Sequence, residues 1–265
     1  MLIPLVRKTL RDHSKPTLWW TFGLLAMFAV ELWAYPYITD STTEMRKIVE
    51  AYPEAMRKMF RMDDYFSGAG FLGTEMYSFM VQLVFIALGG AYGAAASAGE
   101  EDRGTADVLL GLPVTRRQVL MSKMLALPIA FAAVTAAVIA LLAVGTPLAG
   151  LDASLWNIMI ATIAAALLGL FSAGFAYLLG ALTGRRGLAL GASIGVSMIS
   201  FIVFSLAPMV SAFDRVIDFV PWQWAFGNSP LNNGADLPHL ALLLACSLAL
   251  MAAALWAFDR RDISN

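Results

Sequence analysis

The sequence is short of charge. It holds 18 Lys and Arg and 19 Asp and Glu, 14% of its 265 residues, where an ordinary soluble domain carries about 25%. The net charge of -1 offers no basic field for nucleic acid. The single cysteine, Cys246, cannot form an internal disulfide, so it says nothing of redox compartment. The two histidines, His13 and His239, lie at opposite ends of the chain and on opposite expected sides, which excludes a His-based metal site. Neither His-Glu-x-x-His nor Gly-x-Ser-x-Gly occurs. None of the five lysines (Lys8, Lys15, Lys47, Lys58 and Lys123) follows a glycine, so the chain has no phosphate-binding loop of the Gly-x-x-x-x-Gly-Lys-Ser/Thr kind.

What is present is apolar: 59% of the residues are hydrophobic. Residues 16–30, 76–99, 124–151, 153–184, 187–213 and 237–258 carry no charge at all. All but the first exceed the roughly 18–20 apolar residues that cross a bilayer core of about 30 Å. A soluble globular enzyme, a nucleic-acid-binding domain and a disordered chain are excluded. The expected fold is an all-α polytopic membrane protein, a single transmembrane domain over 1–265 with spans near 17–37, 74–97, 121–145, 155–182, 188–213 and 239–258. Glu31 interrupts the first span, but Trp19 and Trp20 at one end and Trp33, Tyr35 and Tyr37 at the other supply interfacial aromatics. Basic residues followed by an apolar run resemble a secretion signal; with Met1 first, an uncleaved first span is expected.

Six spans put both termini on one side. Twelve basic residues fall on that side: Arg7, Lys8, Arg11, Lys15, Arg103, Arg116, Arg117, Lys123, Arg185, Arg186, Arg260 and Arg261. Six fall on the other: Arg46, Lys47, Arg57, Lys58, Arg61 and Arg215. The bias predicts cytoplasmic N- and C-termini. Residues 1–15, with Leu2, Ile3, Val6 and Leu10 on one face and Arg7, Lys8 and Arg11 on another, suit an interfacial helix on anionic lipid. Ser41 and Glu44 form a capping box. The period of Met45, Ile48, Val49, Tyr52, Met56, Met59 and Phe60 then predicts an outer amphipathic helix over 41–62, kinked or restarted at Pro53. It reads either as a vestibule lid or as a surface ornament. Pro221, Trp222, Trp224, Pro230 and Pro238 interrupt 214–238, read as an external loop or as a segment dipping partly back into the outer leaflet.

The inner loop has the densest local signals. Gly104 can close the second span. Thr105 can cap a short helix, with Asp107 in its first turn where the helix dipole favours an anion. Gly111 and Pro113 stop that helix, and Thr115 with Gln118 makes a capping box for the third span. A short helix bracketed by charge suits docking into a cleft on another protein; it also suits an ordinary capped turn.

The same stretch resembles the signature of type-2 ATP-binding-cassette (ABC) export permeases: an acidic pair, Arg-Gly-Thr, an acid, Leu-Leu, then Pro-Val-Ser/Thr-Arg. Here those are Glu100, Glu101, Arg103, Gly104, Thr105, Asp107, Leu109, Leu110, Pro113, Val114, Thr115 and Arg116. Ser229-Pro-Leu-Asn-Asn-Gly234 and Phe258-Asp-Arg-Arg-Asp-Ile263 are similar to the segments before and after the family's last span, so the resemblance covers essentially the whole chain. It implies a multi-pass plasma-membrane permease of type V exporter-like architecture. Two permease chains, identical or homologous, would pair above two ATP-binding subunits. ATP and Mg would be bound by those partners, with no cofactor and no ATPase site in this chain. The 105–111 helix would be the coupling helix, with Glu100, Glu101 and Arg103 as the membrane-proximal polar contact and Arg116 and Arg117 as flanks. The cargo would be an amphipathic drug, antibiotic, peptide or lipid.

Within the spans, Gly187, Gly191 and Gly195 and the pair Gly89 and Gly93 have the four-residue spacing that lets helices approach, either within the chain or at a dimer contact. The resemblance, in which second and fifth spans line a central path, makes Phe79, Met80, Phe85, Met198, Phe201 and Phe204 candidate path residues. The alternative class is an ATP-independent secondary transporter or channel, which needs coupling ions near the midplane; the spans offer almost no charge to bind them. An intramembrane enzyme lacks a plausible catalytic pair.

Overall fold

The computed structural model describes residues 2–40, 42–53, 56–57, 62–102 and 115–260. Among these, the regular structure is entirely helical. In chain order the helices are α1 (Leu2–Asp40), α2 (Thr42–Ala51), α3 (Gly68–Glu75), α4 (Met80–Asp102), α5 (Arg116–Leu148), α6 (Leu155–Thr183), α7 (Arg186–Leu206), α8 (Pro221–Phe226), α9 (Pro230–Asn233) and α10 (Leu237–Arg260). Single tight turns occupy Met62–Asp64, Ser211–Arg215 and Ile217–Phe219. Six helices, α1, α4, α5, α6, α7 and α10, are long and apolar enough to cross a membrane.

Helix α6 is the hub, packed by α4, α10, α7 and α5. Its contact with α4 is the most extensive, because small residues let the backbones touch. A Cβ at Gly89 would collide with the Gly169 carbonyl, and one at Gly93 would stand 2.5 Å from Ala173 O. The pair is therefore filled by backbone rather than side chains, and Ser172 Oγ donates to Ile86 O across it at 3.2 Å. Helix α1 packs chiefly on α5, where Leu32 covers Gly145. Its other face leaves Leu18, Trp19, Phe22, Val30 and Trp33 exposed.

Three boundaries differ from the sequence expectation. Leu2–Asp40 does not divide into a surface helix before 16 and a span from 17; it forms one helix through Pro16. Proline removes a single backbone bond there. Thr9 Oγ1, Thr17 Oγ1 and Thr21 Oγ1 donate to Leu5 O, His13 O and Thr17 O in the turns on either side. The second span does not start at 74: the chain turns over Met76–Phe79 between α3 and α4. Met76 N and Tyr77 N both donate to Leu72 O, and Gln82 Nε2 reaches back to Tyr77 O. The fifth span ends at Leu206 rather than 213, two residues before Pro208.

Other boundaries agree closely. Ser154 caps α6 through Asn157 N, and Gly184, with φ 64°, closes it. Thr115 and Gln118 form the expected reciprocal capping box at the start of α5. The outer amphipathic segment is helical over Thr42–Ala51 and stops short of Pro53, whose carbonyl accepts from Met56 N and Arg57 N. Ser41 lies outside the described residues.

Candidate functional site

Two regions stand out, one at each end of the bundle. At the end that holds both termini, α4 and α5 frame the 103–114 loop. Glu100 and Glu101 lie in the last turn of α4, and Arg116 opens α5 with Arg117 exposed beside it. Arg103, Gly104, Thr105, Asp107, Leu109, Leu110 and Pro113 lie outside the described residues, as does the expected 105–111 helix.

The frame around that loop is tied tightly. Lys123 Nζ on α5 donates to Ala96 O on α4 at 3.3 Å, and Tyr177 Oη on α6 donates to Lys123 O at 3.3 Å. Ser97 Oγ donates to Gly93 O at 2.7 Å and lies 3.4 Å from Ala176 O. Helix α1 joins through Tyr92, whose hydroxyl pairs with Thr17 Oγ1 at 3.1 Å and whose ring stacks on His13 at 4.2 Å. Four helices thus meet within about three turns of the loop.

The opposite end carries an aromatic cluster and a cleft. Phe79 and Phe201 approach to 4.7 Å between ring centroids, and Phe201 and Trp222 to 4.9 Å. Trp222 is 1% exposed and its backbone N donates to Ser200 Oγ at 3.1 Å. Ser200 lies six residues before the end of α7, so α8 descends roughly 9 Å below that end at 1.5 Å per residue. Helix α8 thus packs back among the helices through Trp222. Helix α9 is pinned to α6 by Asn157 Nδ2, which donates to Leu231 O at 2.9 Å and Asn232 O at 3.3 Å.

The cleft opens between α3, the 76–79 turn, the end of α7, α8 and α9. It encloses about 650 Å³ of empty space, its open mouth included. Tyr77, Phe204, Trp222 and Phe226 line it, with Asp64 and Asn232 at the rim, where Asn232 Nδ2 donates to Asp64 Oδ2 at 3.3 Å. Nearby, Tyr65 Oη donates to Glu75 Oε1 at 2.8 Å. Burial first, and then that bond and the charges of Glu75 and Glu31, push the Tyr65 phenol well above its ordinary range.

The six candidate path residues divide. Phe79, Phe201 and Phe204 gather at this end; Met198 is half-buried on α7, and Met80 is 39% exposed. Phe85 is fully buried against Phe131, at 5.1 Å, inside the α4–α5–α6 contact. The glycines divide as well. Gly89 and Gly93 serve the packing of α4 on α6, whereas a Cβ at Gly187, Gly191 or Gly195 would meet nothing within 4 Å. The residues that sequence reasoning did not select here are Trp222, Tyr77, Phe226 and Asn157. Pro221 before two tryptophans was the available signal for the first. Among the described residues no three His, Cys, Asp or Glu side chains gather as a metal site.

The sequence matches the family model described as ABC-2 family transporter protein over residues 3–263. Comparison with curated proteins gives no match.

Proposed function

The chain belongs to the ABC-2 transporter family, and from that premise we propose that it is the membrane permease subunit of an ATP-driven exporter. The observation that carries the reading is a family match running through all six membrane-length helices of a chain with no phosphate-binding loop. Two separate ATP-binding subunits supply the nucleotide sites, with ATP and Mg, and a second permease chain completes the path. The termini face the cytoplasm and the protein resides in the plasma membrane, in keeping with the distribution of Lys and Arg.

In this reading the ATP-binding subunits grip the 105–111 helix, with Glu100, Glu101 and Arg103 above it and Arg116 and Arg117 beside it. Their closure on ATP moves the loop. The ties from Tyr92, Ser97, Lys123 and Tyr177 carry that motion into α1, α4, α5 and α6 together. The membrane helices then reorient between inward- and outward-open states. The cargo is amphipathic, because the far end pairs aromatic faces with a polar rim.

The test is copurification from the native membrane, followed by transport into inverted vesicles. An ATP-binding subunit in the complex and ATP-dependent accumulation are expected. Transport by the purified chain with no nucleotide-binding partner would overturn the reading in favour of a secondary transporter.

A further inference from the structure

Halfway along the bundle, α5 and α6 leave a gap between them. Pro128, Ala132 and Thr135 of α5 and Ile163, Ala166 and Leu170 of α6 line a groove of about 200 Å³. Ala132 stands sixteen residues from Arg116 and from Leu148, and Gly169, beside Leu170, fourteen from Leu155 and from Thr183. The groove therefore lies at the middle depth of two spans, within the hydrocarbon layer rather than among headgroups. From Pro128 to Thr135 it runs roughly 10 Å, at 1.5 Å of rise per residue.

The floor fixes the shape. Phe131 is 4% exposed and its ring lies 5.1 Å from Phe85 of α4. Its Cε2 stands 2.8 Å from where a Gly169 Cβ would be, so nothing more fits beneath it. Above the floor, Ala132 and Ala166 carry one methyl group each, and the gap stays open.

The lining and the width decide what suits that gap. Thr135 bears its one polar side chain, whereas a buried water needs about two to four polar partners and apolar cavities stay dry. A helix of another chain, about 10–12 Å across with its side chains, is too wide to enter. A hydrocarbon chain fits: an engineered apolar cavity of about 150 Å³ takes up benzene. The groove is also continuous with the bilayer-facing surface, where Leu125, Ile129 and Ile163 are exposed. Left empty, it would forfeit dispersion contacts along both walls.

The geometry points to a binding site in this groove for one acyl chain of a bilayer phospholipid, wedged between α5 and α6 on the Phe131 floor. The site goes beyond the exporter reading and holds whether or not ATP drives transport.

The experiment uses the full chain in nanodiscs of phosphatidylcholine that carries a photoactivatable diazirine near the methyl end of one acyl chain. After irradiation, labelled positions are mapped by peptide mass spectrometry. The controls are exposed residues near the middle of other spans, Met27 on α1 and Ile199 on α7. Segments 128–135 and 163–170 should be labelled about tenfold more heavily than the controls, a preference of about 1.4 kcal/mol over the surrounding lipid. Ala132→Leu and Ala166→Leu each place an isobutyl group in the groove and should remove that excess, with labelling of Met27 and Ile199 unchanged. The wild-type map decides alone if a variant fails to fold. Equal labelling of groove and controls in the wild type overturns the proposal, since it reports ordinary lipid contact. So does a groove labelled less than the controls, the result of a second chain roofing it, or an excess that survives both substitutions.

Discussion

Gly89 on α4 lies directly against the Gly169 carbonyl on α6, with no side chain between the two backbones. The contact is reciprocal: a Cβ on Gly169 would stand 2.5 Å from Phe85 O. Apolar burial contributes little to helix association in a bilayer, where lipid is as apolar as leucine, so the gain comes from dispersion at close approach.

Gly89→Leu should therefore push α4 off α6 and destabilise the chain by about 1–3 kcal/mol or more, the cost of overpacking a filled contact. Gly187→Ala is the contrasting case, because its Cβ would enter open space on α7. In a helix, that exchange should leave stability unchanged or raise it by roughly 0.5–1 kcal/mol. Thermal melting of the purified chain in detergent checks both. Equal losses from the two variants would mean that the α7 glycines are packed after all.

The Asn157 amide makes the principal polar tie from α6 to α9. Asn157→Leu should leave the Leu231 and Asn232 carbonyls without their donor, at a cost of about 1–3 kcal/mol. The loss should be local. Hydrogen exchange at residues 229–234 should accelerate while the α4–α6 contact keeps its protection. Uniform acceleration throughout the chain would contradict a local latch.

Tyr65 gives a pH dependence with a definite sign. Its phenol is raised in the folded chain, so the folded state holds the proton more tightly than the unfolded state does. The stability it contributes is fully present below the unfolded value of about 10 and is lost as pH rises beyond it. Tyr65→Phe should therefore narrow the fall in melting temperature between pH 9 and 11, with no effect on the slope between pH 6 and 9. The other tyrosines are common to both proteins, so the difference between the two curves is the quantity to read.

Legibility from sequence follows the physics of each element. Helix α6 was readable to within a residue, because the charge-free window 153–184 brackets it and the caps at Ser154 and Gly184 act locally. The turn at Met76–Phe79 was not. The run through it is uniformly apolar, and the break is held by Gln82 reaching back to Tyr77 and by the Tyr77–Thr162 hydroxyl pair, partners known only from the fold. The composition of 214–238 showed that no long helix could form there. It did not show that Trp222 would bond Ser200, 22 residues earlier. Phe79 and Phe85 look alike in sequence, yet one meets Phe201 and the other Phe131. Periodicity cannot separate interior, lipid and cleft positions when all three are apolar.

The loop between α4 and α5 carries the remaining prediction. Its ends are anchored: Thr115 and Gln118 cap α5, and Lys123 ties α5 to Ala96 eight residues further on. Substitutions within the loop or in the last turn of α4 beside it should then alter docking without loosening the bundle. Glu101→Lys reverses a charge at the proposed polar contact, and Leu109→Asp places a charge on the proposed docking face, where an unpaired buried charge is strongly unfavourable. Each should lower ATP-driven transport at least about tenfold, equivalent to about 1.4 kcal/mol of coupling. Melting of the isolated permease should stay at the wild-type temperature. Pull-down of the ATP-binding subunit separates the two routes to failure: lost capture means broken docking, and retained capture with idle ATP hydrolysis means broken transmission. A double variant that assembles, hydrolyses ATP and transports at the wild-type rate would remove this loop from the mechanism.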